Sequence, residues 1–239
     1  MPIPKGTTLT WLGHAMFLVE TGRHRIVIDP FIEGNPRFPK GAESKLQPLT
    51  AILVTHGHND HMGDAIPLSR RTGAPVVAIH ELASYVGSQG GHGLGMNKGG
   101  TVEIDGLRVT QVPAEHSSGF MDGEGHLLPL GEATGFVVDL GSGDKLYHAG
   151  DTAVFGDMRL IGELFHPTIG LLPIGGHFTM GPTEAARAAV MLGLRTIVPM
   201  HFGTFPPLTG TPQALREALR RDGAAIDVVE LTPGEAARA

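Results

Sequence analysis

The 239-residue chain contains no cysteine. Disulfides and thiolate ligands are therefore excluded, and any bound metal must be held by nitrogen and oxygen. Aromatic residues are sparse at 5%, with one tryptophan and two tyrosines. No run of about 18 or more apolar residues occurs, so no segment is expected to span a membrane. The first residues, MPIPKGTTLTW, lack the apolar core of a secretory leader, and cytoplasmic residence is the default expectation. Basic runs are missing too. The formal net charge is −6, and only Arg70-Arg71 and Arg220-Arg221 set two basic residues side by side. A surface that tracks phosphates needs a denser positive stripe, so nucleic acid is not an expected partner.

What is present fits a folded α/β chain. Hydrophobic residues make up 41% and charged residues 18%, and no linker rich in Pro, Gly or Ser divides the sequence. One domain over 1–239 is expected. The pattern predicts helices over 64–73 and 81–90, flanking a strand over 75–80. Residues 90–100, GGHGLGMNKGG, hold six glycines and read as a loop. A hairpin is expected over 101–116, turning at Asp105-Gly106. Helices over 182–193 and 211–223 each begin with Pro near the start and close on Gly193 or Gly223. Two stretches also rhyme. FLVETGRHRIVID (17–29) and FVVDLGSGDKLYHAGD (136–151) each read as a hairpin ending in Asp. Each precedes a helix-like stretch and then an apolar strand that ends in histidine, AILVTHGH and TIVPMHFG, which predicts two similar β-rich halves packed together.

The chemistry concentrates in AILVTHGHNDHMGDA, residues 51–65. His56 and His58 lie two apart, so an extended backbone points both imidazoles to one side. Asp60 and His61 follow a Gly-containing turn that can fold back towards the same point. Four such side chains exceed what one ordinary metal site needs while keeping a position open for substrate.

This stretch resembles the HxHxDH motif of the metallo-β-lactamase superfamily, whose fold is a four-layer αβ/βα sandwich. Later residues resemble the rest of that superfamily's ligand order: His116 in VPAEHSSG, Asp151 in LYHAGDT and His201 in IVPMHFGTFP. Within it, WLGHAMFLVETG, IDPFIEGNP, YHAGDTAVFGDM and LLPIGGHFTMGPTEAARA are similar to the UlaG-like metal-dependent hydrolases of the UPF0173 group. The resemblance extends over nearly the whole chain. It implies that His56, His58 and His116 hold one metal, that Asp60, His61 and His201 hold a second, and that Asp151 bridges them. Imidazoles and carboxylates suit Zn²⁺ or Mn²⁺. Two such cations, about 3.5–4 Å apart, can share a hydroxide formed as the pKa of water falls from about 15.7 to about 7. Asp60 can orient that hydroxide. Relatives also form oligomers, which makes a homo-oligomer an expectation here. One departure is EGHLLPLGEATGF (124–136), where many relatives carry an aromatic-glycine segment, so substrate contacts are expected to differ.

Further candidates stand outside the seven ligands. Asp29 either receives a proton from a ligand imidazole or caps the turn after the first hairpin. His14 in WLGHAM and His177 in IGGHFTMG, both in stretches shared with the UlaG-like group, are expected at the active-site mouth. His177, after two glycines, would bind substrate or donate a proton. Asn35 and Asn97 either contact substrate or form turns. The leading reading is a metal-dependent hydrolase of a small anionic ester, lactone or phosphoester. A nuclease or phosphodiesterase of the same superfamily is an alternative, weakened by the missing basic arm. An iron oxidoreductase is another, weakened by His61 at a ligand position and by the lack of a flavodoxin-like partner domain. The fourth is a non-catalytic metal-dependent binding module.

Overall fold

The computed structural model describes residues 3–141 and 143–238. Met1, Pro2 and Ala239, at the ends of the expected 1–239 domain, and Ser142, in the turn of the second expected hairpin, lie outside the described residues.

The first part of the chain supplies β1 (Thr7–Trp11), β2 (Phe17–Thr21), β3 (His24–Ile28), β4 (Ala51–Leu53), β5 (Val76–Ile79) and β6 (Gly93–Met96). A single helical turn, α1 (Asn59–Met62), follows β4, and α2 (Ala65–Thr72) and α3 (His80–Ser88) flank β5. Next come β7 (Thr101–Ile104) and β8 (Leu107–Pro113), then a separate two-stranded hairpin of β9 (Gly119–Met121) and β10 (Leu127–Pro129). The second part supplies β11 (Thr134–Asp139), β12 (Lys145–His148), α4 (Met158–Phe165), β13 (Ile169–Pro173), α5 (Pro182–Leu192), β14 (Thr196–Met200), α6 (Pro212–Arg221) and β15 (Asp227–Val228). The closing strand, β16 (Ala236–Arg238), returns to pair with β1.

Two seven-stranded mixed sheets result, ordered β16-β1-β2-β3-β4-β5-β6 and β15-β14-β13-β12-β11-β8-β7. Alternation along the strands builds the layers. In β2, Phe17 and Val19 face the other sheet while Leu18 faces the helices; in β3, Ile26 and Ile28 face inward and Val27 outward. Side chains from both sheets, among them Trp11, Phe136 and Leu171, form the central layer. Each fully buried apolar side chain of this size contributes about 1.5–3 kcal/mol. Helices α2 and α3 cover the outer face of the first sheet, and α4, α5 and α6 cover the second. This is the expected four-layer αβ/βα sandwich. Among the described residues, no helix is long and apolar enough to cross a membrane.

The rhyme between the halves has a structural basis, shifted by one strand. Read from β16, the first sheet has three antiparallel pairings and then three parallel ones; read from β7, so does the second. Hairpin β2-β3 matches β11-β12, as the sequence pattern predicts. The counterpart of β4 is then β13, not β14, so AILVTHGH and TIVPMHFG do not occupy equivalent places. The expected loop over 90–100 is also corrected, because it contains β6, paired in parallel with β5.

Candidate metal centre

The strands that end at the site all run the same way within their sheets. His14, Asp29 and His56 each follow within three residues of the ends of β1, β3 and β4, while His116, Asp151 and His201 do the same after β8, β12 and β14. The two edges meet where Thr134 donates both its N–H (3.0 Å) and its hydroxyl (2.8 Å) to the Thr55 carbonyl. Gly150 makes that contact possible. A Cβ there would lie 2.7 Å from Thr134 O and 2.9 Å from Thr55 Cβ. His56 follows Thr55 and Asp151 follows Gly150, so this close approach brings expected ligands of the two sheets together.

Among the described residues, six non-glycine residues have a left-handed backbone, and four of them lie at or beside this site: His14 (φ 55°), Asp29 (48°), His177 (58°) and His201 (55°). That conformation costs roughly 1–2 kcal/mol per residue and gathers where function demands a particular side-chain direction.

The ring nitrogens are then sorted by their outer partners. Asp29 is fully buried; its Oδ1 accepts the Thr55 N–H, and its Oδ2 accepts both the Thr55 hydroxyl and His61 Nδ1, all at 2.8 Å. Thr55 Oγ1 lies 3.0 Å from His56 Nδ1 and takes its proton. These bonds turn His56 Nε2 and His61 Nε2 into the site, where loss of the His61 Nε2 proton would free both as ligand atoms. His58 Nε2 sits 3.3 Å from Ser117 Oγ, which leaves its Nδ1 facing His56 Nε2 at 2.9 Å. Asp29 thus accepts the proton of His61, one of the expected ligands, and the alternative role of turn cap gives way.

Asp151 Oδ2 occupies the middle, 3.0 Å from His201 Nε2, 3.4 Å from His61 Nε2 and 3.7 Å from His116 Nε2. Three overlapping groups have ligand atoms within 4.8 Å of one another: His56 with His58 and His116; His56 with His61 and Asp151; and His14 with Asp60, His61 and His201. The seven side chains expected as ligands are therefore all brought together. The donor set fits divalent cations on a physical ground. Buried His61 Nε2, Asp151 Oδ1 and His201 Nε2 have no hydrogen-bond partner. Such atoms cost roughly 1–3 kcal/mol each when left unsatisfied, and a cation would satisfy them.

Electrostatics agree with ligand character. Burial, then the neighbouring His61, pulls the pKa of His56 well below the ordinary imidazole value, and burial lowers His58 and His116 as well. Those rings are neutral at neutral pH, the form in which imidazole binds metal. Burial also opposes charge on His61, but Asp151, Asp29 and Asp60 outweigh it and hold its pKa well above the ordinary value. Asp151 and Asp60 are held well below the usual carboxylate range despite burial, Asp151 by His201 and His61, Asp60 by His61 and His14.

The remaining candidates separate. His14 is expected at the mouth but is fully buried, with Nε2 3.0 Å from Asp60 Oδ2. His177 is exposed and lines a cavity of about 520 Å³ with Glu115, Val154, Phe178 and Glu184. That cavity adjoins the site through the chain, since Glu115 precedes His116 and its N–H bonds Thr152 Oγ1 (3.0 Å), next to Asp151. Asn35 spends its side chain within its own loop, donating to Phe31 O and accepting from Arg37 N. Asn97 is exposed in the turn after β6 and accepts from Lys98 N. Neither asparagine bonds to the seven clustered residues. Sequence reasoning missed Asn59, whose amide makes two bonds to the Met121 backbone (2.8 and 3.0 Å) and ties β9 to the motif loop. Its place inside HxHNDH was the available signal.

Two mixed sheets flanked by helices, with a His/Asp cluster at one edge of the sandwich, define a metal-dependent hydrolase of the metallo-β-lactamase class, and residues 24–202 match the β-lactamase superfamily domain. Within that class the chain belongs to the UPF0173 metal-dependent hydrolases. It is 51% identical over 232 residues to the UPF0173 metal-dependent hydrolase of Rubrobacter xylanophilus, covering 96% of each chain. It is 46% identical over 228 residues to that of Methanopyrus kandleri, covering 95% of this chain and 97% of the other. Among solved structures, Igni18, a novel metallo hydrolase from the hyperthermophilic archaeon Ignicoccus hospitalis, aligns with a TM-score of 0.86 at 37% identity over 97% of both chains. CmlA, a diiron β-hydroxylase from Streptomyces venezuelae, shares the fold alone, with a TM-score of 0.77 at 14% identity over all of this chain and 55% of the other.

Proposed function

We propose that this chain is a dinuclear hydrolase that cleaves a small ester, lactone or phosphoester. The observation that carries the reading is the gathering of seven His and Asp side chains into overlapping groups, with Asp151 Oδ2 among His61, His116 and His201 and with buried ring nitrogens left unpartnered. His56, His58 and His116 would hold one divalent cation, Asp60, His61 and His201 the other, and Asp151 would lie between them. Zn²⁺ or Mn²⁺ bound there supplies acidified water and charge neutralisation at a carbonyl or phosphoryl oxygen.

The chain's own residues do the rest. Asp60, with about a third of its side chain exposed, orients the water against the scissile bond. His177, from its exposed position, holds the substrate or gives a proton to the leaving group. Glu115 and Glu184 line the cavity beside His177 and disfavour negative charge there. An anionic substrate would therefore place its charge at the cation pair, with its uncharged portion towards the cavity. A small molecule, not nucleic acid, is the partner this charge pattern suits.

The test is a screen of the metal-loaded protein against lactones, phosphomonoesters, cyclic nucleotides and phosphodiesters. Turnover of one class that disappears in Asp60→Ala supports the reading. Two bound cations without turnover of any class would favour a metal-dependent binding module instead.

A further inference from the structure

We infer that His14 positions Asp60 for the second cation by donating its Nε2–H to Asp60 Oδ2, and that His14 is not itself a ligand. The inference rests on the dinuclear reading above and assigns a role to a residue outside its ligand set.

Four observations fix the geometry. First, the backbone of His14 is held from two sides: its carbonyl accepts the Trp11 indole N–H at 2.9 Å and the His201 N–H at 3.0 Å. The loop after β1 is thereby bound to a ligand residue of the opposite sheet. Second, the ring is held in place by packing. Phe31 and Phe205 meet it edge-on with centroids 5.7 and 5.6 Å away, and the His201 ring lies 3.9 Å away. Third, the ring is fully buried and has one hydrogen-bond partner, Asp60 at Nε2, while Nδ1 has none. A bare lone pair is cheaper to bury than an unpaired N–H, so the single proton belongs on Nε2. Fourth, Asp60 needs holding. It sits on α1, a single turn of four residues, and is partly exposed. The bond from His14 engages Oδ2 and would leave Oδ1 available to a cation. Side chains that orient a ligand in this way typically change metal affinity by about 10–100-fold when removed.

The experiment titrates metal-stripped protein with Zn²⁺ by calorimetry. Wild type should take up two cations. His14→Phe keeps the ring packing but removes the donor, and should weaken the second cation by about 10–100-fold while leaving the first unchanged. His14→Gln places an amide donor at a similar reach and should restore most of that loss. Melting temperatures in chelator confirm that both variants fold. A second measurement needs no substitution: protein with ¹⁵N-histidine, loaded with ¹¹³Cd²⁺, should show cadmium coupling to His56, His58, His61, His116 and His201 and none to His14. Equal weakening in both variants, no weakening in either, or cadmium coupling to His14 each overturns the inference. Uptake of a single cation by wild type overturns the dinuclear reading first, and shows itself before any variant is compared.

Discussion

Asp29 accepts the Nδ1 proton of His61 at 2.8 Å from a backbone turned to φ 48°, and through Thr55 Oγ1 it also fixes the proton of His56. One buried carboxylate therefore orients an expected ligand in each of the two proposed metal groups. Asp29→Ala should weaken both cations by about 10–100-fold, the usual effect of removing a carboxylate behind a metal-bound imidazole. Competition with a chromophoric chelator measures it. Unchanged affinity at both sites would mean that packing alone holds the two rings.

Asp151 makes a different demand, because its Oδ2 approaches three imidazoles from both groups at 3.0 to 3.7 Å. Metal analysis after saturation with Zn²⁺ or Mn²⁺ should find two cations per chain in the wild type. Asp151→Ala should lower that number, since it removes the one carboxylate shared between groups and leaves His61 and His201 facing each other. A wild-type limit of one cation would sink the dinuclear assignment.

The seven candidate ligands were legible in the sequence because each lies past an apolar strand and the family resemblance supplied their order; the structure brings all seven together. Long-range partners were not. His14 reads as a residue of the active-site mouth until the fold buries it against Asp60, 46 residues away. Asp29 reads equally as a cap or a proton acceptor until β3 and α1 are placed together. The glycines of 90–100 misled for a physical reason. Glycine there reflects close packing against α3: a Cβ on Gly93 would lie 2.0 Å from Ala83 O, and one on Gly95 3.0 Å from His80 Nδ1. A strand that must lie under a helix backbone loses its side chains, and with them the alternation by which strands are recognised. The shifted rhyme has a similar origin, since β4 and β14 share apolar runs ending in histidine but not a place in the sheet order.

Acid and base should both weaken the metal-free protein. Burial lowers the pKa of His148, whose Nε2 donates to Ala15 O and whose Nδ1 accepts from Gly150 N, and it lowers His14 to about 4. Below about pH 6.5 the unfolded chain protonates these rings while the folded chain refuses, so stability falls as pH drops towards about 4, by about 1.4 kcal/mol for each unit of depression. His61 acts in the opposite sense. Its folded pKa is raised by Asp151, Asp29 and Asp60 against burial, so its contribution is complete below about pH 6.5 and is lost as pH rises through the folded value. Melting temperature in chelator should thus peak near pH 6.5. Added metal should lift the alkaline side most, because binding requires the deprotonated ring that alkali provides. A chelated protein whose stability climbs steadily to pH 9 would contradict this assignment of His61.

His177 separates a substrate role from a structural one. It follows Gly175-Gly176, holds a left-handed backbone at φ 58°, and projects beside a cavity of about 520 Å³ at the start of α5. None of the three ligand groups contains it. The ring's one aromatic neighbour among the described residues is the adjacent Phe178, itself exposed, so little packing is lost with it. His177→Ala should therefore keep both cations and a near-normal melting temperature, while turnover of whichever ester class the screen identifies falls by about 10²–10⁴-fold if the ring donates a proton. A rise in KM at unchanged kcat would assign it to substrate binding instead. Loss of a cation in the variant would make His177 a ligand, and unchanged kinetics would leave it a loop residue whose strained backbone serves only the turn into α5.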